Sequence, residues 1–293
     1  MENKDKSGAS APKRPVGAHT ARKLMITAAA VGAAGGAVRG TQLIRSFDSE
    51  ALPVGGNGLN ISVWAISAVQ IAAAAAVWFW LDKRGNAVLQ KGREFSEKGG
   101  IVCAVLLGLA SAVCFAMSYS PFSLWGIILA LVCFAAAAAM PSVLRSVNLG
   151  GGSSERAKLA SLLPVAAMAL QLVEFYRRVS KNPTAAWYAP DAFACAVLVL
   201  LMFSFAGVVN GRTGVKKVLT MSFAFVSMGL TALIGRAAYL VSEIAGGAGA
   251  GILVSEAGLE CALFVFGTVA AVSAVRAAYF EKPAKAEADE EMR

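Results

Sequence analysis

Long apolar runs alternate with short polar breaks along the whole chain, and this alternation sets the elements before any single residue is considered. Runs at 24–45, 60–81, 100–119, 122–144, 158–177, 189–209, 217–241 and 252–279 each suffice for a helix to cross a hydrocarbon core, which takes roughly 20 apolar residues. The pattern predicts an all-α, polytopic transmembrane bundle of eight spans. The first span is the weakest, because its clean apolar run ends at Arg39. Spans three and four are joined by a tight Ser-Tyr-Ser-Pro turn whose Pro121 can start a helix but not sit deep inside one. A cleaved leader over Met25 to about Gly40 is the competing reading; the long lead-in and the lack of a small-residue cleavage site argue against it.

Composition removes the soluble alternatives. The chain is 57% apolar and 15% charged, with a mean hydropathy of +0.62, so no stretch is left for a sizeable water-soluble domain. One transmembrane domain is expected over 23–281, with possible halves at 24–149 and 154–281 on either side of a Gly/Ser stretch. Each half holds four spans, so a duplication would place its pseudo-two-fold axis along the membrane normal. Residues 1–22 and 282–293 read as disordered, charged tails.

A net charge of +9 would point to nucleic acid in a soluble protein, but its placement gives it another meaning. Of the 27 Lys and Arg, 21 fall in the two tails, in the breaks after spans two, four and six, or at the span ends that border them. That asymmetry is the positive-inside signature, and it predicts both termini in the cytoplasm. Trp64, Trp125 and Trp187 then lie near the outer interface, and Trp78 and Trp80 near the inner one, as aromatic belts do. The expected partners are the lipid bilayer of a bacterial cytoplasmic membrane and a small solute, with no nucleic acid.

Chemistry is sparse. The five cysteines all sit in apolar runs without a C-x-x-C pair and read as packing residues. The only histidine, His19, lies in the basic tail, which excludes His-based metal sites and Ser-His-Asp triads. The glycine runs at 150–152 and 246–251 match neither a P-loop nor a dinucleotide fingerprint. No cofactor, no metal and no catalytic constellation is expected.

Two features stand out. Ala28, Gly32, Gly36 and Gly40 recur every four residues in span one, a small-residue stripe that admits another helix at close range, from this chain or from a second copy in a homo-oligomer. The second is the depth of the ionisable groups: Arg39, Glu174, Arg236, Glu256 and Glu260 all arrive in the outer third of their spans. Each such group costs about 2.5–3.5 kcal/mol on insertion scales, so they should face one another or a wet cavity. Helical phase extends them into stripes: Arg39 with Gln42; Gln171, Glu174 and Arg178; Arg236, Tyr239 and Glu243; Glu256 and Glu260; and Asn60, Ser67 and Gln70 in span two.

The functional reading is one outward polar vestibule, with Arg39 and Arg236 holding a carboxylate or phosphate of an anionic or zwitterionic solute. The opposing reading is a set of ion pairs that only cross-link helices in an assembly protein. Residues 37–42 also echo 234–239, each placing a polar residue three after an arginine. Pro164 should kink span five about two turns below Gln171. The exit of span one, Arg39-Gly40-Thr41-Gln42-Leu43-Ile44-Arg45-Ser46-Phe47-Asp48, resembles the first helices of uncharacterised polytopic proteins of Gram-positive bacteria, a likeness confined to one helix that implies no function.

Overall fold

The computed structural model describes residues 18–47, 58–84, 93–119, 123–148, 154–180, 185–246 and 255–277. Most of both tails, of the Gly/Ser stretch and of the 246–251 glycine run lie outside the described residues. Within them the chain is all-helical: α1 Ala18–Arg45, α2 Gly58–Arg84, α3 Arg93–Tyr119, α4 Leu124–Asn148, α5 Glu155–Ala160, α6 Leu162–Val179, α7 Ala185–Val209, α8 Val215–Ala245 and α9 Glu256–Ala277. With α5 and α6 taken together, eight helices are long and apolar enough to cross a membrane. Large apolar side chains such as Ile61, Phe79, Leu109, Leu131 and Phe134 point outward, while Arg39, Asp191, Arg236 and Glu260 are buried. A water-soluble fold would reverse that arrangement.

Local chemistry explains the breaks. Pro164 has no N–H to offer the carbonyl of Ala160, and the helix is interrupted at Ser161 between α5 and α6. The expected distortion therefore lies one turn before the proline rather than at it. Ser161 Oγ donates to Lys158 O at 2.6 Å and accepts from Asn210 Nδ2 at 3.3 Å, tying this break to the end of α7. That end is a Schellman turn. Gly211 takes φ +67°, its N–H reaches Val208 O, and Arg212 N–H reaches Gly207 O at 2.8 Å, so α8 can turn back antiparallel to α7.

Helix α8, 31 residues and so about 46 Å long, is the central post of the bundle and is buried along most of its length. The small-residue stripe of α1 lies along it in parallel. A methyl group on Gly36 would come within 2.5 Å of Ile234 Cβ, one on Gly40 within 2.9 Å of Ala238 Cβ, and one on Gly32 within 2.7 Å of Ser227 O. The stripe is thus packed against α8 of the same chain. Contact this close also lets polar groups bridge the helices in mid-span. Gln70 of α2 donates to Thr231 Oγ1 at 2.7 Å, and Thr231 reaches Gly32 O at 3.2 Å. At the opposite end from the buried charges, Lys216 sits over the Trp78 ring at 3.8 Å and pairs with Asp82, fastening α2 to α8. Because α1 lies on α8 and α3 on α9, helices from before and after the Gly/Ser stretch interleave in one bundle.

Candidate functional site: two charge clusters at one end of the bundle

The parallel packing of α1 on α8 puts Arg39 and Arg236 at the same depth, and this is where the 37–42 and 234–239 echo takes physical form. Gly235 carries no side chain, and Arg39 passes through that gap: a methyl there would lie 3.1 Å from Arg39 Cβ. Both arginines then converge on a carboxylate from a third helix. Arg39 donates from one terminal nitrogen to Asp191 Oδ2 at 2.8 Å, and Arg236 brings a terminal nitrogen within 2.8 Å of the same oxygen. On its other side Arg236 Nε lies 2.8 Å from Glu260 Oε2 of α9, an ion pair whose angle is not that of a hydrogen bond. The result is a row of alternating charge, Arg39–Asp191–Arg236–Glu260, drawn from four helices and neutral in sum.

The row is closed. Arg39 and Asp191 are 0% exposed, Arg236 5% and Glu260 4%. Neutral groups extend and cover it. Arg39 also donates to Gln42 Oε1 and to the carbonyl oxygen of Trp187, and Gln42 passes the chain on to Asn60 Oδ1 of α2 at 2.7 Å. The Trp187 indole packs edge-on against Phe47 at 5.0 Å and Tyr239 at 5.6 Å, with the Arg236 guanidinium 5.4 Å from its centre. Tyr239 therefore belongs to the aromatic cover, not to the charge row. Asp191 Oδ1 accepts no hydrogen bond.

A second cluster lies across α9. Glu174 of α6 takes Arg177 in a fork, at 2.9 and 3.1 Å, while Arg178 lies 3.7 Å from Glu174 and 3.5 Å from Glu256. Glu174, Arg177 and Arg178 line an open cavity of about 270 Å³ between the ends of α3, α4, α6 and α9, together with Cys114, Met117, Leu129 and Leu259. Ser118 and Ser123 add hydroxyls to its wall. Beneath it the buried Gln171 contacts the sulfurs of Cys114 and Cys133 at 3.2 and 3.3 Å, and its Oε1 accepts no hydrogen bond. One turn of α9 joins the clusters, since Glu256 faces Arg178 and Glu260 faces Arg236.

The residues expected in one vestibule are thus divided. Arg39, Gln42, Arg236 and Glu260 belong to the closed row; Glu174 and Arg178 line the open pocket, with Glu256 paired to Arg178 beside it and Gln171 below. Gly32, Gly36 and Gly40 serve helix packing. Sequence reasoning missed Asp191, the hub of the row. It is the only acidic or basic residue in the sixth predicted span and sits two residues from that span's outer edge, where it reads as interfacial. Its depth matches that of the other charges, and that was the signal to use. Among the described residues no group of three or more His, Cys, Asp or Glu is placed to hold a metal ion. No family model, no curated protein and no solved structure matches this chain.

Proposed function

We propose that the chain is a multi-pass protein of a bacterial cytoplasmic membrane, with both termini inside, that binds a small zwitterionic or anionic solute at its outer end. The observation that carries this reading is the open cavity of about 270 Å³ whose wall offers both signs of charge, Glu174 beside Arg177 and Arg178. Pockets that take small molecules are concave and mostly apolar with a few placed polar groups, and this one combines apolar side chains with charged ones. Arg178 can turn from Glu256, which is 56% exposed and free to swing into water, toward a carboxylate. Glu174 suits an ammonium. The concentration of basic residues at the opposite end supports the orientation.

A thermal-unfolding screen of purified protein against amino acids, organic acids, nucleosides and vitamins tests the binding claim. A stabilising ligand whose effect disappears in Arg178→Ala is expected, and silence across all four classes removes the solute reading. The orientation is tested separately, by labelling Ser123→Cys and Arg212→Cys with a membrane-impermeant thiol reagent on intact cells. Only the first should react.

A second reading is favoured by the closed row. Four buried charges that neutralise one another can serve purely to lock α1, α7, α8 and α9 together in an assembly protein. It predicts that substitutions in the row impair folding and that no small ligand stabilises the wild type.

A further inference from the structure

We propose that the open pocket takes a small monocarboxylate with an apolar body, an aryl or branched-alkyl acid, and discriminates against the zwitterionic amino acid of the same shape. The proposal rests on the reading that this cavity binds a solute, and it names the class of that solute.

The two signs of charge on the wall are not equally engaged. Glu174 takes Arg177 Nε on one oxygen at 2.9 Å and Arg177 Nη2 on the other at 3.1 Å, so a single guanidinium occupies both. To meet an ammonium, Glu174 must give up that fork. Arg178 is held more loosely. Its described hydrogen bond runs from Nε to the backbone oxygen of Glu174 at 3.4 Å, and its carboxylate partners, Glu256 and Glu174, stand at 3.5 and 3.7 Å. A guanidinium offers five N–H donors, and one terminal nitrogen of Arg178 is buried without a hydrogen bond.

That imbalance selects the ligand's charge. Among the described residues the wall sets two guanidiniums against one carboxylate, while Glu256 is 56% exposed and stands beside the wall. A carboxylate therefore meets a cation with donors to spare. An α-ammonium carried next to that carboxylate meets two arginines and an acid already in use.

The remainder of the wall selects the body. Cys114, Met117, Leu129 and Leu259 are apolar, and Ser118 spends its proton on the Cys114 carbonyl at 2.6 Å. A buried cysteine acts as a small hydrophobe, and the thioether of Met117 suits an aromatic ring. The volume of about 270 Å³ lies just under the range of about 300–1,000 Å³ usual for ligand pockets, which fits one ring or one branched chain and not a long acyl tail.

The test uses the full chain in nanodiscs and matched ligands, hydrocinnamate with phenylalanine and isocaproate with leucine, which differ only in the α-ammonium. Each acid is expected to raise the unfolding midpoint by roughly 2–4 °C at a few times its dissociation constant, and each amino acid to bind at least about tenfold more weakly. The shifts should vanish in Arg178→Ala, which separates binding in the pocket from partition into the bilayer; acid shifts that persist in the folded variant overturn the proposal. Glu174→Gln decides the sign, and does so even if Arg178→Ala does not fold. Releasing Arg177 from its carboxylate should tighten the acids by about two- to fivefold, whereas a zwitterion held by Glu174 would be weakened. Acids weakened by Glu174→Gln, or amino acids that bind as well as their acids, overturn the proposal and leave the solute-binding reading standing. Laurate that binds more tightly than hydrocinnamate overturns the small body. Acids without effect sink the proposal too, and silence across amino acids, organic acids, nucleosides and vitamins removes the reading beneath it as well.

Discussion

The closed row and the open pocket use the same side-chain types at the same end of the bundle, yet they differ in what surrounds them. In the row each charge meets an opposite charge from another helix, and an aromatic cover of Trp187, Phe47 and Tyr239 shuts out solvent. In the pocket the tightest pair, Glu174 with Arg177, belongs to one helix at a spacing of three, and Arg177 is 62% exposed. Inter-helix pairs in a dry site hold a fold together and are costly to break. A pair within one helix at a wet site contributes little to stability and leaves its members available to a ligand.

The strongest way to break this contrast is to remove the arginine shared by two carboxylates. Arg236→Ala strands Asp191 and Glu260 with Arg39 alone, and losing one member of a buried pair costs about 3–5 kcal/mol. The expected result is a large fall in the fraction of protein recovered folded after detergent extraction, read by size-exclusion chromatography and thermal unfolding. A variant as stable as the wild type would mean that the row is wet.

Smaller, and independent of charge, is the effect of closing the gap between α1 and α8. Gly36→Val places a side chain against Ile234 where even a methyl comes within 2.5 Å, and overpacking of this kind costs about 1–3 kcal/mol. The same substitution at Gly58, where nothing lies within 4 Å of an added methyl, should leave the unfolding midpoint nearly unchanged. Because Gly36 lies one turn below Arg39, Gly36→Val should also loosen the row. A Trp187 emission shift toward the red is the measurement.

A double-mutant cycle sharpens the comparison further. Arg39→Met and Asp191→Leu each remove one side of the Arg39–Asp191 pair, and together they leave the pair Arg236–Glu260. The double variant should therefore cost less than the sum of the singles, with a coupling of about 0.5–3 kcal/mol in unfolding experiments. The same cycle on Glu174 and Arg177 should give a coupling near zero.

How much of this was legible in the sequence follows from which physical signal carried it. Length and apolarity gave the eight spans, since a bilayer sets a length that few other structures require. The four-residue spacing from Ala28 to Gly40 gave a packing face, although only the structure names α8 as its partner. Helical phase and depth correctly put Arg39, Arg236 and Glu260 together, because spans that must hide charge bring it to a common level. The division into two clusters was not legible. Phase places a side chain on one face of its own helix but does not say which neighbour that face meets, so Glu256 and Glu260 looked alike and serve different clusters. Asp191 was missed for a related reason: an acid near a span's edge, after a proline, is assigned to water unless the depths of several helices are compared at once.

The smallest effect on stability and the most informative for function should come from Arg178→Ala. Arg178 has no ion pair shorter than 3.5 Å among those described, and Glu174 keeps its fork with Arg177 when Arg178 is gone. The unfolding free energy should stay within about 1 kcal/mol of the wild type, the range of partly exposed pairs. If the pocket is where a solute's anionic group is held, the same substitution should abolish ligand-induced stabilisation, since the cavity then keeps only the arginine already committed to Glu174. Arg178→Lys offers a point charge without the planar fork and should restore only part of the binding. A loss of stability as large as that of Arg236→Ala, or ligand binding that ignores Arg178, would erase the distinction between the two clusters, because the pocket would then be one more cross-link between helices.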